Sequence, residues 1–392
     1  MSLDPVELLA QLVAIPSVSP MGREVSGPEY LETRLTEFLV RHFQRLDVPF
    51  EVHEVMPGRA NVIARLDVPG AESTLLLDAH QDTVPVDGMV IPPFKPEIRD
   101  GRLYGRGACD VKGGMAAMLT AFARLVADPR GGRHHVVMSC TCDEESTAQG
   151  VRALSRLWSE PGQTSRLLAQ PPDLAVVAEP TGLDLVVAHK GAVRWKIRTR
   201  GRACHSSRPN EGVNAIYGMG EVLRALEELA RELPGMVPAH PLCGVATLSV
   251  GRIEGGISVN TVPDECLIEI DRRVLPTEVA ASVIPQVEKW LRVRVQANFE
   301  MLPPWIDGAT LSDHNNGPWA DRLLAQVTPL AGARQKLGAW YGTNASRIAV
   351  TGVPAVVFGP GSIEQAHTRD EWIELEQLRL ATEILHRFCR AG

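Results

Sequence analysis

No uninterrupted apolar stretch in this 392-residue chain is long enough to span a bilayer, so no membrane role is expected. Basic runs and basic patches interleaved with aromatics are also missing, and the net charge is -7 with a pI near 5.9. Nucleic acid is therefore excluded as an expected partner. The amino terminus, Met1-Ser-Leu-Asp-Pro-Val-Glu, lacks the basic region and apolar core of a signal peptide. The 7 cysteines are odd in number and scattered, which points to a reducing cytoplasm and not to a disulfide framework. Cys140 and Cys142, on an expected strand, read as small buried residues. Internal repeats and low-complexity segments are absent.

What is present is ordinary globular composition, 44% hydrophobic and 22% charged, in a chain long enough for two domains. Four short apolar runs each lead into a metal-type ligand. They are Thr74-Leu-Leu-Leu-Asp-Ala before His80, Val136-Val-Met-Ser-Cys before Asp143-Glu144-Glu145, Leu174-Ala-Val-Val-Ala before Glu179, and Ala355-Val-Val-Phe-Gly before His367. Such runs, separated by helical stretches, read as buried parallel strands. Ligands of open α/β sheets sit beyond the carboxyl ends of the strands. Another acid, Asp110, lies in the glycine-rich loop Gly105-Arg-Gly-Ala-Cys-Asp-Val-Lys-Gly-Gly114. Imidazole and carboxylate converging at one sheet edge suit one or two zinc ions. Lys112 and its glycines do not complete a phosphate-binding loop.

A first helix is expected over Asp4–Ala14, capped by Asp4, and a second over Tyr30–Phe43. A third, Gly113–Ala127, carries Met115, Met118, Leu119, Phe122 and Leu125 as a core stripe. Near Lys190 the pattern changes to half-solvated strands, beginning with Ala192–Thr199. A helix over 212–232, strands Val245–Ile253 and Glu265–Val274, a helix Thr277–Leu291 and a strand Val293–Met301 follow. That order is ferredoxin-like. The expected architecture is a doubly wound α/β catalytic domain, 1–189 and 303–392, interrupted by an inserted α+β domain at 190–302.

These motifs together resemble the co-catalytic zinc amidohydrolase and exopeptidase family of acetylornithine deacetylase, succinyl-diaminopimelate desuccinylase, aminoacylase and carboxypeptidase G. The resemblance runs from Ile15-Pro-Ser-Val-Ser to His367-Thr-Arg-Asp-Glu and rests on His80-Gln-Asp-Thr-Val-Pro85, the Asp110 loop, Asp143-Glu-Glu145, Glu179-Pro-Thr181 and Ala366-His367-Thr. It implies a zinc-exopeptidase-like fold whose insert serves as lid and dimerisation domain. It further implies that Asp110 bridges two zinc ions, with cobalt or manganese as alternatives. His80 and Glu179 would complete one ion, and Glu145 with His367 the other. Asp82 would hydrogen-bond His80, and Glu144 would be the general base. The resemblance also implies a cis peptide bond at Asp110–Val111.

Within the insert, the resemblance assigns His205 to oxyanion stabilisation in the neighbouring subunit's site of a homodimer. Asn260 and Arg273 become substrate contacts, Arg273 holding a carboxylate; Arg272, on the other face of its strand, is the weaker candidate. Thr343 lies in the family's substrate-contacting loop, where many relatives have an acid in place of Asn344. Gly359 would let backbone approach the substrate. The expected activity is hydrolysis of the amide of a small N-acyl amino acid by a cytoplasmic enzyme. The runner-up is a dipeptidase or carboxypeptidase of the same family. A non-catalytic metal-binding homologue is the reading from another class, and the intact Glu144 argues against it.

Overall fold

The computed structural model describes residues 4–162 and 164–391. The chain forms two compact units. One comprises Met1–Val187, Asp313–Leu337 and Thr343–Gly392, the other Ala188–Ser312 and Gly338–Gly342.

At the heart of the first unit, strands His134–Thr141, Ser73–His80, Leu174–Val177 and Ala355–Val357 lie side by side, all parallel. Their Val- and Leu-rich runs are buried, as strands covered on both faces require. Arg59–Leu66 and Phe50–Met56 extend the sheet antiparallel on one side. Leu185–His189 and Lys336–Ala339 complete the eight strands on the other, and the unit boundary falls inside both. Helices Pro5–Val13, Lys112–Ala127 and Leu375–Arg390 pack on one another, and the last two reach the sheet. Gln149–Ser159 and Asn344–Ala349 form a second layer against it.

Local chemistry explains the helix boundaries. Asp4 caps the first helix, its carboxylate accepting from the Val6 amide at 2.8 Å. The second helix runs Thr33–Leu46, starting later than expected because Leu31 is left-handed at φ 64°. The methionine-bearing stripe of Lys112–Ala127 is core. Lys112 is itself buried and donates to the Ile15 carbonyl at 2.7 Å. Cys140 and Cys142 are buried free thiols.

The second unit holds strand Gly191–Arg200, helix Ala215–Met236, strands Thr247–Gly255 and Glu265–Val274, helix Val283–Arg292 and strand Phe299–Met301. In its antiparallel sheet Glu265–Val274 lies between Thr247–Gly255 and Gly191–Arg200, with Phe299–Met301 beyond the latter, a ferredoxin-like order. The second helix is shorter than expected. Pro285, which has no amide hydrogen, is accommodated without losing a helical hydrogen bond in a first turn, and the helix begins at Val283. The unit continues past residue 302, because Ile306–Asp307 adds to the Gly191–Arg200 strand. One sheet face packs Trp195, Ile197, Ile268 and Ile270 against the helices. The opposite face carries charge. Arg272 points inward, paired with Glu278 at 2.5 Å.

Candidate metal centre

Adjacent strands deliver the site of the first unit. His80 ends its strand, and the parallel strands on either side lead into Asp143-Glu144-Glu145 and Glu179. Asp110 arrives on the loop before helix Lys112–Ala127, where Gly107 adopts φ 81° and the Asp110–Val111 bond is cis. His367 comes from the turn after Ile363–Gln365, itself left-handed at φ 62°.

Ligand atoms of His80, Asp110 and Glu179 lie within 4.8 Å of one another, as do those of Asp110, Glu145 and His367. Asp110 belongs to both groups and meets each imidazole through a different oxygen. Its Oδ1 is 3.2 Å from His80 Nε2, and its Oδ2 is 3.3 Å from His367 Nε2. His367 Nε2 is also 3.3 Å from Glu145 Oε2, while Glu145 Oε1 is buried without a hydrogen-bond partner.

The electrostatics call for added positive charge. Burial and the carboxylates of Asp110 and Glu144 push Glu179 well above the usual carboxylate range. Burial, with Glu145, Asp82 and Asp110 working against His80, carries Glu144 up to about 8. Burial opposes charge on His80 too, but Asp110, Glu144 and Glu179 outweigh it and hold this imidazole well above its ordinary value. Hydrogen bonds to Asp110 and Glu145 raise His367 to about 10. For Asp110 burial is overcome by the two histidines, and its carboxyl is depressed. Converging acids, two imidazoles and an orphaned buried oxygen form a donor set that fits divalent cations.

Asp82 behaves differently from expectation. His80 Nδ1 donates to the backbone carbonyl of Asp82 at 2.9 Å, whereas the Asp82 carboxylate is 3.7 Å away, beyond hydrogen-bond range. That carboxylate instead accepts the backbone N–H groups of Glu144 at 3.0 Å and Glu145 at 3.1 Å. Asp82 thus orients His80 through its main chain and the acidic turn through its side chain.

Two supports were not anticipated. Buried Arg59 pairs with Glu32, with Asp143 at 2.5 Å and with Asp82 at 3.5 Å. Fully buried Glu371 accepts the amides of Gly107, Cys109 and Asp110 at 2.8–3.0 Å and pairs with Arg106 at 2.6 Å. Arg106 also donates to the carbonyls of Pro85 and Thr368.

The remaining expected site residues have other surroundings. Thr343 caps helix Asn344–Ala349 by accepting from the Ala345 amide at 3.1 Å. Asn344 is buried, and its amide donates to Asp78 at 3.0 Å and Thr141 at 2.9 Å, so it belongs to the packing behind the His80 strand. A Cβ on Gly359 would sit 2.6 Å from the Glu179 carbonyl oxygen; the close approach made there is to the Glu179 segment. His205, Asn260 and Arg273 all lie in the second unit. His205 and Asn260 occupy paired loops, the Ser206 amide donating to the Asn260 carbonyl at 3.0 Å. Exposed His205 has Nδ1 2.7 Å from Ser207 Oγ. Arg273 lies on the charged sheet face.

Residues 76–391 match the family model described as Peptidase family M20/M25/M40. The acetylornithine deacetylase of Pectobacterium carotovorum subsp. carotovorum (strain PC1) is 32% identical over 410 aligned positions, covering 99% of each chain. Among solved structures, an M20 family metallo-carboxypeptidase from Sulfolobus solfataricus shares the fold with a TM-score of 0.76 at 18% identity, over 100% of this chain and 99% of that one. A Bacillus subtilis protein described as a dinuclear metal binding peptidase does so with a TM-score of 0.69 at 16% identity, over 98% and 96%. On the family match and the full-length similarity, this chain belongs to peptidase family M20/M25/M40.

Proposed function

We propose that the protein is a homodimeric, cytoplasmic amidohydrolase that cleaves an N-acyl amino acid at a centre of two zinc ions. The observation that carries this reading is the sharing of Asp110 between two groups of ligand atoms, with Glu144 in the turn beside Glu145. His80, Asp110 and Glu179 would hold one ion, and Asp110, Glu145 and His367 the other. When bound, such ions supply Lewis-acid polarisation of the amide carbonyl and make water acidic enough to attack near neutral pH.

The chain's own groups do the rest. Glu144 takes a proton from the attacking water, and the amide carbon gains the oxygen. The C–N bond breaks, and Glu144 returns the proton to the leaving nitrogen, giving a free amine and a carboxylic acid. Asp82 keeps Glu144 in place through the two backbone amides it accepts. Arg273 holds the substrate carboxylate, Asn260 adds a substrate contact, and His205 donates to the oxyanion in the partner's site.

Two features of the second unit support a dimer. Strand Thr247–Gly255 is a sheet edge, and Ile253, Ile257, Val259 and Tyr217 expose 54–99% of their surface. Among the described residues no helix is long and apolar enough to cross a membrane.

A panel of N-acetyl amino acids and dipeptides, assayed with zinc, cobalt and manganese, tests the proposal. Turnover of N-acetyl amino acids, lost on chelation and restored by zinc, is the expected result. Cleavage of dipeptides alone would replace deacylation by peptidase activity. Metal binding without turnover of any member would make the chain a non-catalytic homologue.

A further inference from the structure

One strand of the second unit breaks its own pattern. Along Glu265–Val274 the buried positions are Cys266, Ile268, Ile270, Arg272 and Val274, so an arginine interrupts an apolar series. Arg272 is 2% exposed and lies on the face opposite Arg273. Its Nη2 pairs with Glu278 at 2.5 Å, and its Nη1 donates to the Arg273 carbonyl. The other Glu278 oxygen accepts the Leu275 amide at 2.8 Å. The guanidinium thus keeps donors in hand, and among the described residues its Nε has no acceptor. A buried ion pair adds little net stability over an apolar pair of similar volume, so packing alone does not account for this one.

Arg272 and Glu278 also line a cavity of about 650 Å³. Its walls are Leu229, Leu233 and Met236 from helix Ala215–Met236 and Val283, Val287 and Trp290 from helix Val283–Arg292. Such a volume suits a small organic molecule. The Trp290 indole N–H is already taken by the Ala225 carbonyl at 2.8 Å, so this side chain offers the cavity an apolar ring. Met236 and Val279, which also line it, are 54% and 70% exposed, apolar surface that a ligand would cover. Glu278 is the one acid of the lining. The field of Arg272 extends as far as Lys190, whose pKa is lowered first by burial and then, against Cys243, by Arg273 and Arg272. Ser282 and Val283 bring the start of their helix to the cavity, and the positive end of its dipole acts in the same sense.

We infer that this cavity is a ligand site for a small monocarboxylate with an apolar body, such as an aryl-substituted carboxylic acid, held by its carboxylate on Arg272. The guanidinium is charged at every working pH, and its unengaged N–H groups are the donors a carboxylate needs. The apolar body then fills the space between the two helices. A cationic ligand would meet Arg272, and a second carboxylate would be driven against leucine and valine walls. Every residue of the lining belongs to the second unit, whereas His80, Asp110, Glu144, Glu145, Glu179 and His367 belong to the first. The inference therefore does not depend on the proposed amide hydrolysis.

The zinc-loaded full-length protein would be titrated calorimetrically with 3-phenylpropionate and with its neutral isostere 3-phenylpropionamide. The acid is expected to bind about tenfold or more tighter than the amide, the scale of one hydrogen-bonded charge. Val283→Trp, which fills the cavity, should abolish binding of both. Arg272→Met alone would strand Glu278 in the interior, so it is combined with Glu278→Gln, and that double variant should bind acid and amide alike. Equal affinities in wild type would overturn the inference, as would a preference for the acid that survives in the folded double variant. Undiminished binding of the acid to Val283→Trp with wild-type Tm would place it elsewhere, the metal centre included, and would also overturn it. So would the absence of binding by either probe; if Met236→Asp then changed the sedimenting mass, the face would be a contact between copies of the chain.

Discussion

Glu371 touches none of the atoms proposed to bind metal, yet its removal should weaken metal binding. Its Oε1 accepts the amides of Cys109 and Asp110, and its Oε2 accepts Gly107 N–H and Arg106 Nη1. In Glu371→Gln the amide carbonyl keeps two of these four donors, and the NH2 group then confronts the other two. Breaking a buried ion pair by removing one partner costs about 3–5 kcal/mol. Because glutamine fills the same volume and keeps an acceptor, the loss should lie near the lower end, ~3 kcal/mol. Native stabilities of ~5–15 kcal/mol leave such a loss measurable. Loosening the loop that presents Asp110 should also weaken metal affinity by about 10–100-fold, as changes to groups that orient ligands do. Urea unfolding of the metal-free protein reads the first effect, and competition against a chromogenic chelator reads the second. Wild-type values in both would refute the anchoring role of Glu371.

Other expectations are independent of that one. Glu144→Gln should lower kcat about 10²–10⁴-fold with metal content unchanged; loss of metal together with activity, measured by elemental analysis, would make Glu144 a ligand. His205→Ala should reduce kcat at constant metal content, and subunit exchange with Glu144→Gln should restore part of the activity through one site free of both defects. If verified mixed dimers stay inactive, His205 does not act across subunits. Asn344→Asp would set a second acid against buried Asp78 in place of a donor and should cost about 1–3 kcal/mol by urea unfolding at pH 7. His42, buried with its Nε2 unpartnered, is lowered to about 4 by burial and then by Arg45. The unfolded chain therefore binds the extra proton between pH 6.5 and about 4, so the stability due to neutral His42 is complete above 6.5 and lost as pH falls through that window. A gap of about 2.5 pH units is worth roughly 3 kcal/mol, and His42→Leu should flatten that part of the stability–pH curve relative to wild type.

The parts of the fold legible in the sequence are those written locally. The Ser73–His80 run names its own strand and its own ligand, and parallel neighbours of the same type put His80 beside the segments that lead to Glu145 and Glu179. The Asp4 cap and the alternation in Gly191–Arg200 are equally local. A boundary that depends on a backbone angle is not written in this local way. Leu31 adopts its left-handed conformation in a loop whose Leu31 amide donates to the Val18 carbonyl at 3.0 Å, a partner thirteen residues away. Asn344 was legible as part of a motif, but its burial against Asp78 depends on a contact 266 residues distant in the chain. The side-chain role of Asp82 is not legible in the sequence for a similar reason. Its carboxylate is occupied by the amides of a turn 62 and 63 residues further on.

The two unanticipated arginines, Arg59 and Arg106, share a physical logic that no local pattern signals. Each is buried, which is costly, and each is repaid only by several acceptors drawn from distant segments. Arg106 joins the Asp110 loop, Pro85 beyond His80 and Thr368 beside His367. Arg59 joins Glu32, Asp82 and Asp143, the residue just before Glu144. Between them they brace the segments around His80, Asp110, Glu145 and His367. Isolated carboxylates crowded as closely as Asp110, Glu144, Glu145 and Glu179 would repel one another and splay apart. A rigid guanidinium reaches several acceptors at fixed angles, where a lysine ammonium would leave them free to rotate. On this argument Arg59→Lys and Arg106→Lys are not conservative changes, because each keeps the charge and loses the geometry that holds the acids together.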